Sequence, residues 1–147
     1  MSAFDPRTIR QPRLRRLHDY WDGKRAGRPF PSRADLDPID FAWLLGNVLL
    51  VDVLPGGGFR VRLHGTNLVE RAGFDMTGKS MDDYPNPEYA KVALRSFGTV
   101  VETRRPFVSI NERTIAGRAY GYETVMLPLS ADGARVDMLL VGLLYHD

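Results

Sequence analysis

The stretch 138–145, MLLVGLLY, decides the fold, because both faces of the strand that it predicts are apolar. One face carries Met138, Leu140, Gly142 and Leu144, and the other carries Leu139, Val141, Leu143 and Tyr145. A strand of this kind is covered on both sides and lies in the interior of its sheet. The rest of the chain, or a partner, must therefore supply a cover for each face of one sheet.

Four further strands can be placed upstream. Residues 107–115 and 119–129 form a meander with 135–145, since Ala116-Gly117 and Asp132-Gly133 are hairpin signals between them. The run 48–54, VLLVDVL, indicates a buried strand, and Pro55–Gly58 connects it loosely to the next strand. The pattern predicts five antiparallel strands, with the 138–145 strand central.

The segment 59–79, FRVRLHGTNLVERAGFDMTGK, begins as an alternating strand at the edge of this sheet. Arg60, Arg62 and His64 share its polar face and form a basic ladder. That ladder could contact an acidic partner, or it could prevent pairing with another sheet edge. Beyond Gly65, a short helix over 68–72 is predicted.

The helices supply the covers. Thr66 or Asn67 can cap the 68–72 helix, and Gly73 can end it. Asn86-Pro87-Glu88 starts a longer helix that reaches about Val101. A further helix is predicted from Asp37-Pro38 to Gly46, with three residues directed toward a core: Ile39, Trp43 and Leu44. We expect the 68–72 and 87–101 helices to cover one face of the sheet.

The other face needs an apolar helix surface, and the N-terminal region contains one. Residues 13–25 carry an apolar stripe at helical spacing, formed by Leu14, Leu17, Tyr20 and Trp21. An isolated helix of this length is marginal in water, so the stripe must dock on a sheet, in the same chain or in a partner. We expect an α+β fold, and a homodimer through this helix.

Composition sets the broad class. The chain has 147 residues, is 44% hydrophobic and has no cysteine, which predicts one globular domain in a reducing compartment. We divide it into a loose basic leader (1–12), N-terminal helices with an extended segment (13–46) and a core (47–147). Neither a signal peptide nor a membrane-spanning run is apparent, and a cytoplasmic location is expected.

Charge is distributed unevenly along the chain. Residues 1–33 hold nine basic and three acidic side chains, a net +6, whereas residues 34–147 hold eleven basic and fifteen acidic ones, a net −4. No aromatic residue is interleaved with the first five arginines to stack on a base. A solvated helix flank therefore explains the basic leader better than nucleic-acid binding does.

With these elements in place, the sequence resembles a family of stand-alone bacterial PAS proteins. The resemblance follows an ordered set of short matches across about residues 14–145: Leu17, Tyr20 and Trp21; Pro31-Ser32-Arg33; Asp37-Pro38; Arg62-Leu63-His64-Gly65-Thr66; Gly73; and Asp75-Met76-Thr77-Gly78. It implies a sensory or interaction module, often dimeric and not an enzyme. It also implies that any ligand lies between the sheet and the helical insert.

Candidate site residues follow from the sequence pattern and from the resemblance. Around a ligand pocket we place Leu68, Met76, Tyr84, Phe97 and Tyr122, which would otherwise fill the core. Arg33 could bind an anion or could hold its own loop through nearby carboxylates and carbonyls. No catalytic or metal-binding pattern is found, and no enzyme is predicted.

The residue types present limit which cofactors the chain could bind. The resemblance implies that a haem-binding histidine would lie on the long helix, and residues 89–101 contain none, since the three histidines are His18, His64 and His146. A cysteinyl flavin adduct is excluded by composition, so the cofactor is unknown. Two functions remain: a signalling module that acts through dimerisation and a signalling-protein partner, with ligand control, or a sensor whose main activity is binding a small molecule.

Overall fold

The computed structural model describes residues 4–146, which form a five-stranded antiparallel sheet with helices on both faces. The spatial strand order is β2-β1-β5-β4-β3. The strands are β1 (Val48–Val53), β2 (Phe59–His64), β3 (Phe107–Ile115), β4 (Arg118–Leu129) and β5 (Met138–His146). The α-helices are α1 (Pro12–Arg25), α2 (Thr66–Ala72) and α3 (Pro87–Thr103), and short 3-10 turns lie between them. The α+β prediction with five antiparallel strands is confirmed.

Strand β5 lies at the centre of the sheet, as its two apolar faces predict. It pairs with β1 on one side and with β4 on the other. Strand β2 is at one edge and β3 at the other. Because side chains alternate along a strand, each central strand contributes to both layers of the core.

Helix α1 covers the outer face of the sheet. Leu14, Leu17 and Trp21 are buried, and the Trp21 indole Nε1–H donates to the Pro128 carbonyl oxygen at 2.8 Å. Both leucines pack over Gly142, where an added Cβ would lie 2.9 Å from a methyl group of each. The absence of a side chain at this position lets the helix approach the strand closely.

The predicted loose leader is wrong for residues 4–12. Ile9 is fully buried, and the backbone N–H groups of Arg10 and Gln11 each donate to the Glu123 carboxylate at 2.8 Å. Glu123 lies on β4 and has no solvent exposure. A carboxylate at a helix N-terminus satisfies free N–H groups and opposes the positive end of the helix dipole. The leader is therefore docked with α1.

Helices α2 and α3 cover the inner face. The Asn86 side chain accepts from the Tyr89 N–H and begins α3, as predicted. Phe97 and Val100 of α3 are buried in the core. Helix α2 contributes Leu68, which packs with two residues of the sheet, Tyr122 and Leu143.

Three local predictions need correction. Asp37 does accept from the Ile39 N–H, but the turn that it caps is a 3-10 helix that ends at Phe41, and Ile39 is 78% exposed rather than directed to the core. The cap of α2 is Gly65, not Thr66 or Asn67. A Cβ at Gly65 would lie 2.4 Å from the carbonyl oxygen of Gly46, so close backbone contact fixes this helix start.

The prediction of a basic ladder on β2 is also wrong for one of its three residues, His64. Pairing shifts from Leu50 opposite Leu63 to Val51 opposite Val61, so Arg62 is an extra residue in a bulge. One inserted residue moves the following side chains to the other face. Arg60 and Arg62 contact the buried carboxylate of Asp52, whereas His64 lies on the inner face of the sheet.

Candidate functional site

A small cavity lies between the inner face of the sheet and the helical insert. We call it the inner cavity; its volume is about 20 Å³. Apolar side chains form most of its wall, including Leu49, Val61, Leu68, Met76, Met81 and Phe97. The space suits one or two water molecules and is far below the roughly 300–1,000 Å³ of typical cofactor pockets.

Four of the five predicted pocket residues meet at this cavity. Leu68, Met76, Tyr84 and Phe97 line it. Tyr122 is buried beside it, with its ring 6.0 Å from that of Tyr89, and does not line it. The large side chains do fill most of the space, which was the alternative explanation, and their role in ligand binding stays a prediction.

Arg113 is the cation of this site. It lies on β3 and reaches inward, where its guanidinium carbon stands 4.0 Å from the centre of the Tyr89 ring. Its Nη1 donates to the hydroxyl oxygens of Tyr84 at 3.2 Å and Tyr145 at 3.4 Å. Its Nε–H is buried without a hydrogen-bond partner. Within residues 4–146 no carboxylate forms an ion pair with it.

Two of the tyrosines in contact with this guanidinium, Tyr84 and Tyr89, remain neutral. Burial raises the pKa of Tyr84 and raises that of Tyr89 well above the ordinary value. Burial also raises the pKa of the adjacent Tyr122 to about 12. These hydroxyls therefore offer Arg113 dipoles and an aromatic surface, but no negative charge.

His64 also lines the inner cavity. Its Nδ1 accepts the Met76 backbone N–H at 3.0 Å, which assigns the proton of the neutral ring to Nε2. Burial lowers its pKa; the Asp75 carboxylate opposes this effect without outweighing it, and the positive charge of Arg113 adds a smaller lowering. The imidazole is thus held neutral as a donor at the cavity.

A second, more open depression adjoins the first. This outer groove has a volume of about 410 Å³ and shares only Tyr89 and Arg113 with the inner cavity. Its other lining residues include Glu88 and Glu112 at its rim. The stacked Arg113–Tyr89 pair therefore separates the buried space from the surface.

The remaining predicted sites lie elsewhere. Arg33 donates from Nη1 to the Leu36 carbonyl oxygen at 3.0 Å, so it holds its own turn. Of the predicted dimer residues, Leu14, Leu17 and Trp21 contact the chain's own sheet, and Tyr20 is half-buried and bonds to Asp40. A dimer through the first three would require displacement of α1.

Other kinds of site receive no support from the described residues. Across residues 4–146 there is no group of three or more histidine or acidic side chains placed to hold a metal ion. In the same part of the chain, no helix is long and apolar enough to cross a membrane.

Sequence reasoning missed the polar half of the site. Arg113 alternates with exposed residues in a strand of mixed polarity, and nothing in that pattern marks its face as buried. His64 was assigned to the polar face of its strand, with Arg60 and Arg62, because a bulge leaves no clear signal in sequence. Tyr145 was assigned only to an apolar face of the final strand. A buried polar group is signalled in sequence by a polar residue within a run that is otherwise core-forming. Glu123 on β4 is such a residue, whereas the cavity residues carry no such signal.

Comparisons with known proteins identify the family. A family model for the PAS domain matches residues 9–145. The chain belongs to the PAS domain family.

Solved structures agree with this PAS assignment at the level of the fold. The PAS domain of BvgS from Bordetella pertussis is 16% identical over 76% of this chain and 88% of that one, with a TM-score of 0.58. A sensory box sensor histidine kinase from Vibrio cholerae is 15% identical over 75% and 92%, with a TM-score of 0.53. A LOV protein from Rhodobacter sphaeroides is 13% identical over 68% and 59%, with a TM-score of 0.51. No curated protein sequence matches this PAS chain significantly.

Proposed function

We propose that this PAS domain is a sensory signalling module that acts through protein–protein contact, with the docking of α1 controlled by what the inner cavity holds. The observation that carries the proposal is a shared wall. On β4, Tyr122 lies on the cavity side while its neighbour Glu123 holds the N-terminus of α1. On β5, Leu143 lines the cavity while Gly142 lies beneath α1.

This arrangement gives a physical route between the two faces. Successive residues of a strand point in opposite directions, so a shift of β4 or β5 on one face moves groups on the other. Packed interiors transmit such shifts because they contain little free volume. A ligand controls the docking of α1 only to the extent that it binds the docked and undocked states with different affinities.

Filling the cavity tests the route without a known ligand. Ala93→Val adds methyl groups at the cavity wall, while Ala90→Val adds the same groups on α3 at a buried position outside the cavity. In the Ala93→Val variant, we expect the hydrogen-exchange rates of residues 10–25 to change by more than the change in global stability accounts for. Equal exchange of that segment in the two variants would rule out the coupling.

Homodimerisation is the second part of the proposal, and an exposed surface beside α1 supports it. Ile39 is 78% exposed, and Trp43 and Tyr20 are partly exposed nearby. The guanidinium of Arg16 lies 4.0 Å from the Trp43 ring centre, and Asp40 accepts from the Tyr20 hydroxyl. We call these five residues the α1 flank patch.

The composition of the α1 flank patch suits contact with a second copy. Tyrosine, tryptophan and arginine are the residues that contribute most to interfaces. A two-fold contact brings the same patch together twice, so Arg16 of one copy can face Asp40 of the other. The partner in this part of the proposal is therefore another PAS chain.

The alternative function is a sensor whose main activity is to bind a small molecule. The cluster of Arg113, His64 and the cavity tyrosines favours it, because a core with a purely structural role has little use for an unpaired cation. Native mass spectrometry of protein taken directly from cells tests this function. A bound small molecule released on denaturation is expected, and none would count against it.

A further inference from the structure

We infer that the inner cavity recognises a small carboxylate anion, with Arg113 as the group that binds its charge. The inference rests on the proposed function, in which the cavity takes a ligand, and it names the chemical class. The cavity of about 20 Å³ holds one or two water-sized groups as it stands, so a carboxylate of a few non-hydrogen atoms enters only when wall side chains move.

The first argument is the state of Arg113. Its Nε–H is buried and unpartnered, and its Nη1 contacts only neutral hydroxyls. Arg113 is half-buried, so its guanidinium loses part of its hydration without gaining a counter-charge, and a negative partner would offset that loss. A guanidinium presents parallel N–H donors that match the two oxygens of a carboxylate.

The second argument is that the cluster retains several unused hydrogen-bond donors. The hydroxyl oxygens of Tyr84 and Tyr145 accept from Arg113, which leaves the hydrogen of each hydroxyl free to donate. The His64 ring uses Nδ1 as an acceptor and carries its hydrogen on Nε2. A site with several donors and no free carboxylate selects an anion over a neutral or cationic molecule.

The third argument is access. Arg113 and Tyr89 are shared by the inner cavity and the outer groove, so the guanidinium can meet an anion that arrives from the surface. The apolar part of the wall, which includes Val61 and Phe97, suits a short hydrocarbon chain. Acetate and propionate combine these properties in the smallest form.

The test is a titration of the ¹⁵N-labelled protein with acetate and propionate, followed by NMR. The reporters are the Arg113 Nε–H and the Met76 backbone N–H, which donates to His64. We expect both signals to shift on binding, and the uncharged acetamide and propionamide to bind at least about tenfold more weakly.

Variants separate charge recognition from general effects. Arg113→Gln is expected to weaken propionate binding at least about tenfold, while Arg95→Gln, an exposed arginine on α3, leaves it unchanged. If Arg113→Gln does not fold, Tyr145→Phe removes one donor and is expected to weaken propionate binding measurably without changing propionamide binding.

Three results would overturn the inference. They are no response to either carboxylate, equal binding of the amides and the acids, and full binding by the Arg113→Gln variant. Equal binding of amides and acids would leave the proposed ligand-controlled module in place, since the cavity would still take a ligand. A failure of the Ala93→Val experiment would remove the coupling to α1 and leave carboxylate recognition standing.

Discussion

At the residue scale, two small features hold the N-terminal helix on the sheet. Gly142 lets Leu14 and Leu17 approach β5, and Glu123 accepts the backbone N–H groups of Arg10 and Gln11 just before α1. Gly142 acts through the space that it leaves, and Glu123 acts through its charge. Each effect can be tested by a substitution that has a matched control elsewhere in the chain.

Gly142→Ala is expected to destabilise the protein by about 1–3 kcal/mol, because the added Cβ would lie 2.9 Å from two leucine methyl groups of a packed helix. Gly98→Ala is the control: it lies within α3 with nothing within 4 Å of the added atom, and is expected to stabilise by about 0.5–1 kcal/mol. Urea unfolding of both variants measures the difference. Equal effects would contradict the close packing of α1 on β5.

Glu123→Gln is expected to cost about 1–3 kcal/mol, since an amide cannot accept with both terminal atoms and loses the charge that opposes the helix dipole. Hydrogen exchange should quicken first in residues 10–25. Glu112→Gln, at an exposed position on β3, serves as the control and should change neither quantity. Unchanged exchange of residues 10–25 in the Glu123 variant would show that α1 docks without this carboxylate.

Single residues also mark the limit of what the sequence could reveal. The caps Asp37 and Asn86 were predictable because their interaction is with N–H groups two or three positions away. Arg113 was not, because its partners Tyr84 and Tyr145 are 29 and 32 positions away and meet it only through the sheet. Local chemistry can be read from local sequence, whereas a buried polar cluster depends on pairing that has no local signal.

At the element scale, the bulge in β2 reassigns one side chain from the surface to the cavity. Pairing skips Arg62, so His64 enters the inner face and accepts the Met76 N–H. The alternation of the strand was correctly predicted up to that point and wrong beyond it. A bulge inserts one residue without changing the composition of the strand, which is why periodicity alone missed it.

The position of His64 predicts a dependence of stability on pH. Its pKa in the folded protein is lowered by burial below the ordinary value of 6.5. Below that value the unfolded chain takes up a proton that the folded protein does not, so the free energy of unfolding falls as the pH drops from about 7 toward the folded-state pKa. Urea unfolding at several pH values between 7 and 5 measures the fall.

Two substitutions isolate this contribution. His64→Asn keeps an oxygen that can accept from the Met76 N–H and removes the titrating ring, so the fall between pH 7 and 5 should flatten. His146→Gln, an exposed residue at the end of β5, should keep it. The lowered pKa values of Asp35, Asp75 and Asp132 act only nearer to 3.8, outside this range. A fall of equal size in the His64 variant would assign it to other groups.

At the scale of the whole molecule, the sheet is a partition with a helix on one side and a cavity on the other. This general plan was predictable, since the doubly apolar β5 required two covers and the α1 stripe was the available second one. The interface was not predictable: the stripe is used within the chain, and the most exposed large apolar residue of 4–146 is Ile39, which had been expected in the core.

Exchange of one exposed isoleucine tests the proposed homodimer. Ile39→Glu places a charge at the centre of the α1 flank patch without disturbing the core, and should convert the dimer to monomer in sedimentation experiments. Ile110→Glu, on the edge strand β3 at 44% exposure, is the control and should remain dimeric. The opposite pattern would place the interface at the β3 edge.

The central place of β5 also has a consequence for synthesis of the protein. It is the last of the five strands in chain order, and it joins the β1–β2 hairpin to the β3–β4 hairpin. Until it leaves the ribosome, each hairpin exposes an unpaired edge and α1 has no complete surface to dock on. The nascent domain therefore closes in one late step, and its dependence on chaperones should be greatest just before residues 138–146 emerge.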